Sequence, residues 1–247
     1  MGKGCDVRAM HRRLSLLPLA LLPLLATGAA PPPEERRVML TGFDRIRIDG
    51  PFRVEVVSDR PAAATLSGDR RAIEGVSVRN VGNTLVIGAS TATFDGWRDK
   101  SGGATITIAT RSLRAASVNG GGSLDIDRMQ GQRIDLTLNG GGALTVGTVT
   151  ADHLATTLTG TGAVRIAGGT ARNARFLSYG AGSIDASGMV ASDLTVHAQS
   201  AGEGSFTARY TATVTALGAG SVHVAGDAAC RISGPGPVRC EGKAARR

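Results

Sequence analysis

Aromatic side chains are scarce in this chain: one Trp, two Tyr and five Phe among 247 residues. So few rings argue against a globular core built on large aromatic packing. Glycine is abundant at 35 residues, yet no Gly-X-Y triplet persists, which excludes a collagen-like rod. The apolar run Leu14 to Leu25 is shorter than the roughly 20 residues needed to cross a bilayer. Cations exceed acids by a formal +8, but they are scattered and hardly interleaved with aromatics. That pattern excludes a nucleic-acid footprint and reads as a solvated surface.

The N-terminus reads as a targeting segment. Lys3, Arg8, Arg12 and Arg13 precede the apolar stretch, and the small residues Ala26-Thr27-Gly28-Ala29-Ala30 offer a cleavage site. Met10, followed by His11-Arg12-Arg13, offers a second start. The expected organisation is a signal peptide over 1–29, a proline-rich linker over 30–37, an N-terminal β region over 38–112, solenoid repeats over 113–240 and a charged tail over 241–247. Removing the signal lowers the formal charge to +5 and takes Cys5 with it. Cys230 and Cys240 remain, in a compartment that permits disulfides. No transmembrane segment is expected after signal removal.

What the chain does contain is a repeated phrase. Asn119-Gly120-Gly121-Gly122-Ser123-Leu124-Asp125-Ile126 returns as Asn139 to Val146, Thr159 to Ile166 and Tyr179 to Ala186. Corner glycines recur at Gly120 and Gly122, Gly140 and Gly142, Gly160 and Gly162, Gly180 and Gly182. Looser copies begin at Gly202, at Gly218 with Gly220, and at Gly234. A period of twenty implies a solenoid, whose repeats bury their apolar faces only by stacking. Each coil is expected to hold two short strands joined by glycine corners, where φ > 0 and close backbone approach are required. Leu124, Leu144, Val164 and Ile184 should form one buried column. Coils about 4.8 Å apart would set Asn139 on Asn119, so that their amides form a ladder.

Ahead of the repeat, short alternating segments read as strands: Phe43 to Ile48, Phe52 to Val56 and Ala64 to Gly68. Asp69 is placed to cap a helical turn over Arg70 to Glu74. Val76 to Val78 and Thr84 to Ile87 read as a hairpin around Gly82-Asn83, and 91–103 as a loop. The ordered series Gly42-Phe43-Asp44-Arg45-Ile46, Gly50-Pro51-Phe52-Arg53-Val54-Glu55-Val56, Leu66-Ser67-Gly68-Asp69 and Asn83-Thr84-Leu85-Val86-Ile87, followed by the Gly-x-Gly phrases, resembles the head GIN domain family. That family is described as a putative autotransporter adhesin head. The likeness covers about Val38 to Cys240. It implies an exported β-helical body with no agreed catalytic or binding residues, and adhesion by name. No translocator barrel is visible in this chain.

Several chemistries are excluded by pattern. The glycine phrases lead into strands, with no third glycine opening a helix and no Walker Lys-Ser/Thr, so they are corners and not phosphate cradles. Thr145 stands where a calcium nonapeptide array would repeat Asp125. The outward column Asp125, Thr145, Arg165, Asp185, continued by Thr207 and His223, mixes signs and sets no two carboxylates on adjacent coils. Two further outward columns, Asp135, Ala155, Arg175, Thr195 and Ser117, Thr137, Thr157, Leu177, read as a solvated threonine-rich face. His153, His197 and His223 fall in different columns, without metal-ligand spacing. No nucleophile elbow accompanies an acid–base pair. Trp97 and Tyr179 are suited to stack on sugars but are assigned to structural packing.

The sequence therefore predicts an all-β, parallel β-helix-like solenoid with no catalytic, cofactor or metal residues. Its expected role is that of an exported, non-catalytic, adhesin-like or ligand-presenting protein of the periplasm or cell surface. The expected partner is an envelope component or a polysaccharide, not nucleic acid. The alternative is a β-helical enzyme acting on acidic polysaccharide, which would need paired carboxylates. Cys230 and Cys240 flank a phrase symmetric about Pro235 and share inward parity. A tight Gly-Pro corner would bring them within disulfide range, whereas placement across two packed sheets about 10 Å apart would not.

Overall fold

The computed structural model describes residues 34–90 and 103–246. The expected signal segment, the linker prolines and Trp97 lie outside them. In chain order the elements are β1 (Glu34–Met39), β2 (Arg45–Asp49), β3 (Arg53–Val57), β4 (Ala63–Gly68), α1 (Arg70–Glu74), β5 (Val76–Val81), β6 (Thr84–Ala89), β7 (Thr105–Ala109) and β8 (Ala115–Asn119). The body continues as β9 (Ser123–Gly140), β10 (Ala143–Gly160), β11 (Ala163–Ile166), β12 (Gly169–Gly180), β13 (Ser183–Ser200) and β14 (Gly204–Ala216). It closes with β15 (Val222–Ala225), β16 (Ala229–Ser233), β17 (Val238–Cys240) and β18 (Ala244–Arg246).

From β8 onward each strand pairs in parallel with its equivalent one coil away, as the period requires. Leu124 pairs with Leu144, Leu144 with Val164 and Val164 with Ile184. All four side chains are at most 2% exposed. A parallel stack hides its inner face completely, which is why that column is all aliphatic.

A coil has three sides, not the two strands expected. Pairing of β9 with β10 skips Asp127 and Gln132 on the β9 side. Burial changes phase at the same places, with Asp127 and Arg128 both exposed between buried Ile126 and Met129, and Gln132 and Arg133 both exposed before buried Ile134. Two successive outward residues break the period of 2 and re-aim the chain much as a bulge does, so β9 makes both bends without a glycine at the turning residues. The first side thus spans 123–126, the second 128–131 and the third 133–139, and later coils repeat them.

Glycine is demanded at the corner between the third and first sides, for two different reasons, and also at the first bend of later coils, where Gly169 has φ +114 and a Cβ on Gly147 would stand 2.5 Å from the Asp127 carbonyl oxygen. Gly140 has φ +125 and Gly160 φ +119, a region that disfavours other residues. Gly142 and Gly162 need no such φ, but a Cβ would stand 2.2 and 2.4 Å from the carbonyl oxygens of Gly122 and Gly142 below. Beyond Ser200 the pattern shifts. Ser200 takes the first glycine's place opposite Gly180, and Gly202 takes the second, above the Gly182 carbonyl. Gly204 therefore falls in the buried column opposite Ile184, two residues out of the expected phase. The Phe206 ring fills that gap, within 2.8 Å of where a Gly204 Cβ would stand, and packs 4.7 Å from the Phe176 ring centroid.

The stack also begins earlier than the glycine period. β2 pairs in parallel with β8, and β3 with β9, so Arg45 to Val57 already forms a coil whose corner glycine is Gly50 (φ +127). The N-terminal strand region is built onto this coil: β6 pairs with β2 and β7 with β3, while β4 and β5 add antiparallel strands outside them. The β5–β6 hairpin turns at Gly82-Asn83 as expected. The α1 turn forms as expected too, but the Asp69 side chain makes no cap bond. Its backbone carbonyl instead accepts from Ile73 N–H.

Both segments expected to be irregular prove to be partly strand. Glu34 to Arg37 of the expected linker belong to β1, antiparallel to β4, and Ala244 to Arg246 of the expected tail form β18 on β16. In each case the charged segment satisfies an edge ladder that would otherwise be open, while its own charges discourage further pairing.

Cys230 and Cys240 form a disulfide with a Cα separation of 6.6 Å. As expected, the cysteines sit on the two arms of the Gly-Pro corner, but those arms do not pair with each other. β16 pairs with β14 and β18, and β17 with β15, so the bond links two different sides of the coil. Those sides lie closer than two face-packed sheets at about 10 Å, because a three-sided coil with an alanine-rich interior is narrow.

Candidate binding face

Beside a leading column of Arg133, His153, Asn173, Asp193 and Thr211, the third side presents three further outward columns, and pairing fixes their order. The first runs Arg45, Ala115, Asp135, Ala155, Arg175, Thr195, Thr213, Arg231. The second runs Arg47, Ser117, Thr137, Thr157, Leu177, His197, Thr215, Ser233. The third starts Asp49, Asn119, Asn139, Thr159, Tyr179, Gln199. Rungs are about 4.8 Å apart, so hydroxyl and amide groups form a flat lattice over much of the body.

The two ends of this face differ. At the N-terminal end the expected amide ladder is present and gains one member: Asn139 donates to Asn119 at 3.0 Å, and Asn119 donates to Asp49 at 2.7 Å. Partial burial acts to raise the Asp49 pKa. The hydrogen bonds from Asn119 and Arg47, with the charges of Arg47 and Arg79, outweigh it and hold the carboxyl below its ordinary value. Arginines here have acidic partners: Arg45 with Asp44, Arg47 with Asp49 and Arg133 with Asp135.

At the C-terminal end the face carries rings. Tyr179 is half-buried on the outside, 6.3 Å from the His197 ring. Its ring thus packs on the outer face of the coil and not among the interior side chains. Gln199 Nε2 lies 2.9 Å from His197 Nε2, and Leu217 nearby is 49% exposed. The sequence signal for this patch was present in Tyr179, a corner residue where the earlier coils have Asn or Thr.

The first side carries the column that the enzyme alternative depends on; one expected member changes and one is gained. Asp185 pairs with Ser205, not Thr207, and Glu55 pairs with Asp125. Two carboxylates thus do stand on adjacent coils, because β3 belongs to the stack. Both are exposed. Neither lines the small interior void beside Phe176 nor the groove of about 500 Å³ formed by Glu203, Ser205, Ser221, His223, Val238 and Arg239. Further along the column, Asp185 accepts from the Ser187 hydroxyl at 2.7 Å and pairs with Arg165 at 3.3 Å. The Ser187 bond is the main reason its carboxyl lies below the ordinary value, with burial opposing and the Ser187 amide and Arg165 adding to it. A carboxyl so held stays ionised and is poorly suited to proton donation near neutral pH.

His153, His197 and His223 occupy separate columns, and no group of three metal-ligating residues occurs among the described residues. Among the same residues no helix is long and apolar enough to cross a membrane.

A family model described as "Putative auto-transporter adhesin, head GIN domain" matches residues 42–228. The fold is similar to that of a putative adhesin from Bacteroides fragilis, with a TM-score of 0.65 at 18% identity, covering 88% of this chain and 97% of that one. A putative adhesin from Parabacteroides distasonis gives 0.60 at 17% identity, covering 86% and 94%. A protein named a putative lipid binding protein, from the same species, gives 0.59 at 15% identity, covering 87% and 96%. No curated protein matches the chain.

Proposed function

Because the chain belongs to the head GIN domain family, we propose that it is an exported, non-catalytic protein of the cell envelope whose third side binds polysaccharide. The observation that carries the reading is the patch Leu177, Tyr179, His197 and Gln199 on a lattice of threonines. A half-exposed ring offers the apolar surface that a sugar face stacks on, and the flanking amide, imidazole and hydroxyls offer donors and acceptors for its hydroxyls. The adhesin names of the structural neighbours agree with a surface that binds.

The test is co-sedimentation of the protein with insoluble cell-wall polysaccharide, comparing wild type with Tyr179→Ala. We expect wild type to sediment with the polymer and the variant to stay mostly in the supernatant. Equal sedimentation would reject the patch, and release of reducing sugar that Glu55→Gln abolishes would favour the enzyme instead. For export, cell fractionation with N-terminal sequencing should recover a chain beginning near Ala30 or Pro31. An intact N-terminus on cytoplasmic protein would contradict it.

A further inference from the structure

The charges on the third side divide it in two. On the rungs from Arg175 onward, the outward positions of the three further columns are Arg175, Leu177 and Tyr179, then Thr195, His197 and Gln199, then Thr213 and Thr215, then Arg231 and Ser233. None is acidic. Arg175 and Arg231 stand in one column, three rungs or about 14 Å apart, with only Thr195 and Thr213 between. Neither makes an ion pair among the described residues, unlike Arg45, Arg47 and Arg133 on the earlier rungs. The carboxylate bordering these rungs, Asp193, already accepts the Thr211 hydroxyl at 2.6 Å.

We propose that the C-terminal half of this face is a site for an acidic polysaccharide, one bearing carboxylates along its chain. The inference rests on the polysaccharide-binding reading above. A guanidinium with no acidic partner among the described residues presents a planar donor fork that matches a carboxylate. Two such groups flanking a row of hydroxyls suit a charge that recurs along an extended ligand, while the Tyr179 ring takes an uncharged sugar face. A flat row of rungs suits a polymer better than a compact anion, which would use one arginine only.

The test compares polygalacturonate with its fully methyl-esterified form, the same backbone without charge, by calorimetry on the full-length protein. We expect the charged polymer to bind at least about tenfold more tightly at low salt. The preference should shrink as the screening length falls from about 30 Å at 0.01 M to about 8 Å at 0.15 M. Arg175→Gln and Arg231→Gln should each weaken polygalacturonate binding by about three- to fivefold, in the range of exposed charge pairs, and leave the ester unaffected. Both arginines are exposed, so unchanged thermal melts would show that the fold is intact. Equal binding of the two polymers would overturn the acidic preference and leave the polysaccharide reading standing. Binding to neither would sink both. Tighter binding to vesicles of anionic phospholipid than to polygalacturonate would replace the sugar with a membrane surface and overturn the inference.

Discussion

The coils from Ser123 to Ser200 and those from Gly204 to the C-terminus are built from the same parts to different tolerances. In the first set equivalent residues pair at a spacing of twenty, as Leu124 with Leu144 and Val164 with Ile184. In the second the spacing falls to eighteen between Gly204 and Val222 and to sixteen between Val222 and Val238. The interior shrinks with it: Ile134 and Leu154 on the third side give way to Ala212 and Cys230. Where the coil is wide, large aliphatic side chains and two glycines per corner hold it. In the narrowed coils, a displaced phenylalanine and one disulfide replace that regularity. A solenoid is stabilised mainly by contacts between neighbouring repeats, so the two regions should fail differently.

The largest effect should follow from charge in the wide stack. Leu144→Asp sets an unpaired carboxylate in a fully buried column and should cost more than about 4 kcal/mol. Circular dichroism should show loss of the β signal for the whole body, since coils on both sides lose a neighbour. Val224→Asp, equally buried but near the end, should leave the wide coils folded and expose only the region after Gly204 to protease. If both variants unfold globally, the regions are not separable.

A smaller effect belongs to the disulfide. Cys230→Ser with Cys240→Ser opens a loop of sequence separation 10 and should cost somewhat under 3 kcal/mol on the chain-entropy estimate. Hydrogen exchange should quicken in β15 to β18 while β9 to β13 stay protected. Uniform quickening would mean that the clip stabilises the entire stack.

The smallest effect is in acid. Asp49 and Asp185 are held below their ordinary value of 3.8, so the unfolded chain takes up their protons first as pH falls. The stability they contribute is present above 3.8 and is lost as pH drops through the lowered folded values. Asn119→Ala removes the bond to Asp49. It should lower Tm slightly at neutral pH and flatten the decline of Tm below pH 3.8. An unchanged acid slope would show that the ladder does not bias Asp49.

Much of this design was legible in the sequence. The spacing of twenty identified the solenoid, the column Leu124, Leu144, Val164 and Ile184, the glycine corners and the Asn119–Asn139 contact. The three-sided coil escaped because only its first bend carries glycine in later coils, at Gly147 and Gly169, while the second, as at Gln132-Arg133, uses ordinary polar residues, so the pattern read as two strands per coil. The first coil escaped because β4 to β7 intervene between β3 and its neighbour β9, hiding the period and with it the Glu55–Asp125 pair. Ser200 in a glycine position masked the shift at Gly204. The candidate face was half visible: the threonine columns could be written out in advance, but the outward position of Tyr179 required knowing that it ends the third side.

The central claim, that ligand lies on the C-terminal half of the third side, is open to one direct measurement. His153, His197 and His223 report on three separate columns, and their ring C–H signals can be followed by proton NMR as polygalacturonate is added. The account predicts that the His197 and Tyr179 ring signals shift together while those of His153 and His223 stay in place. A shift confined to His223, which lines the groove on the first side, would contradict it.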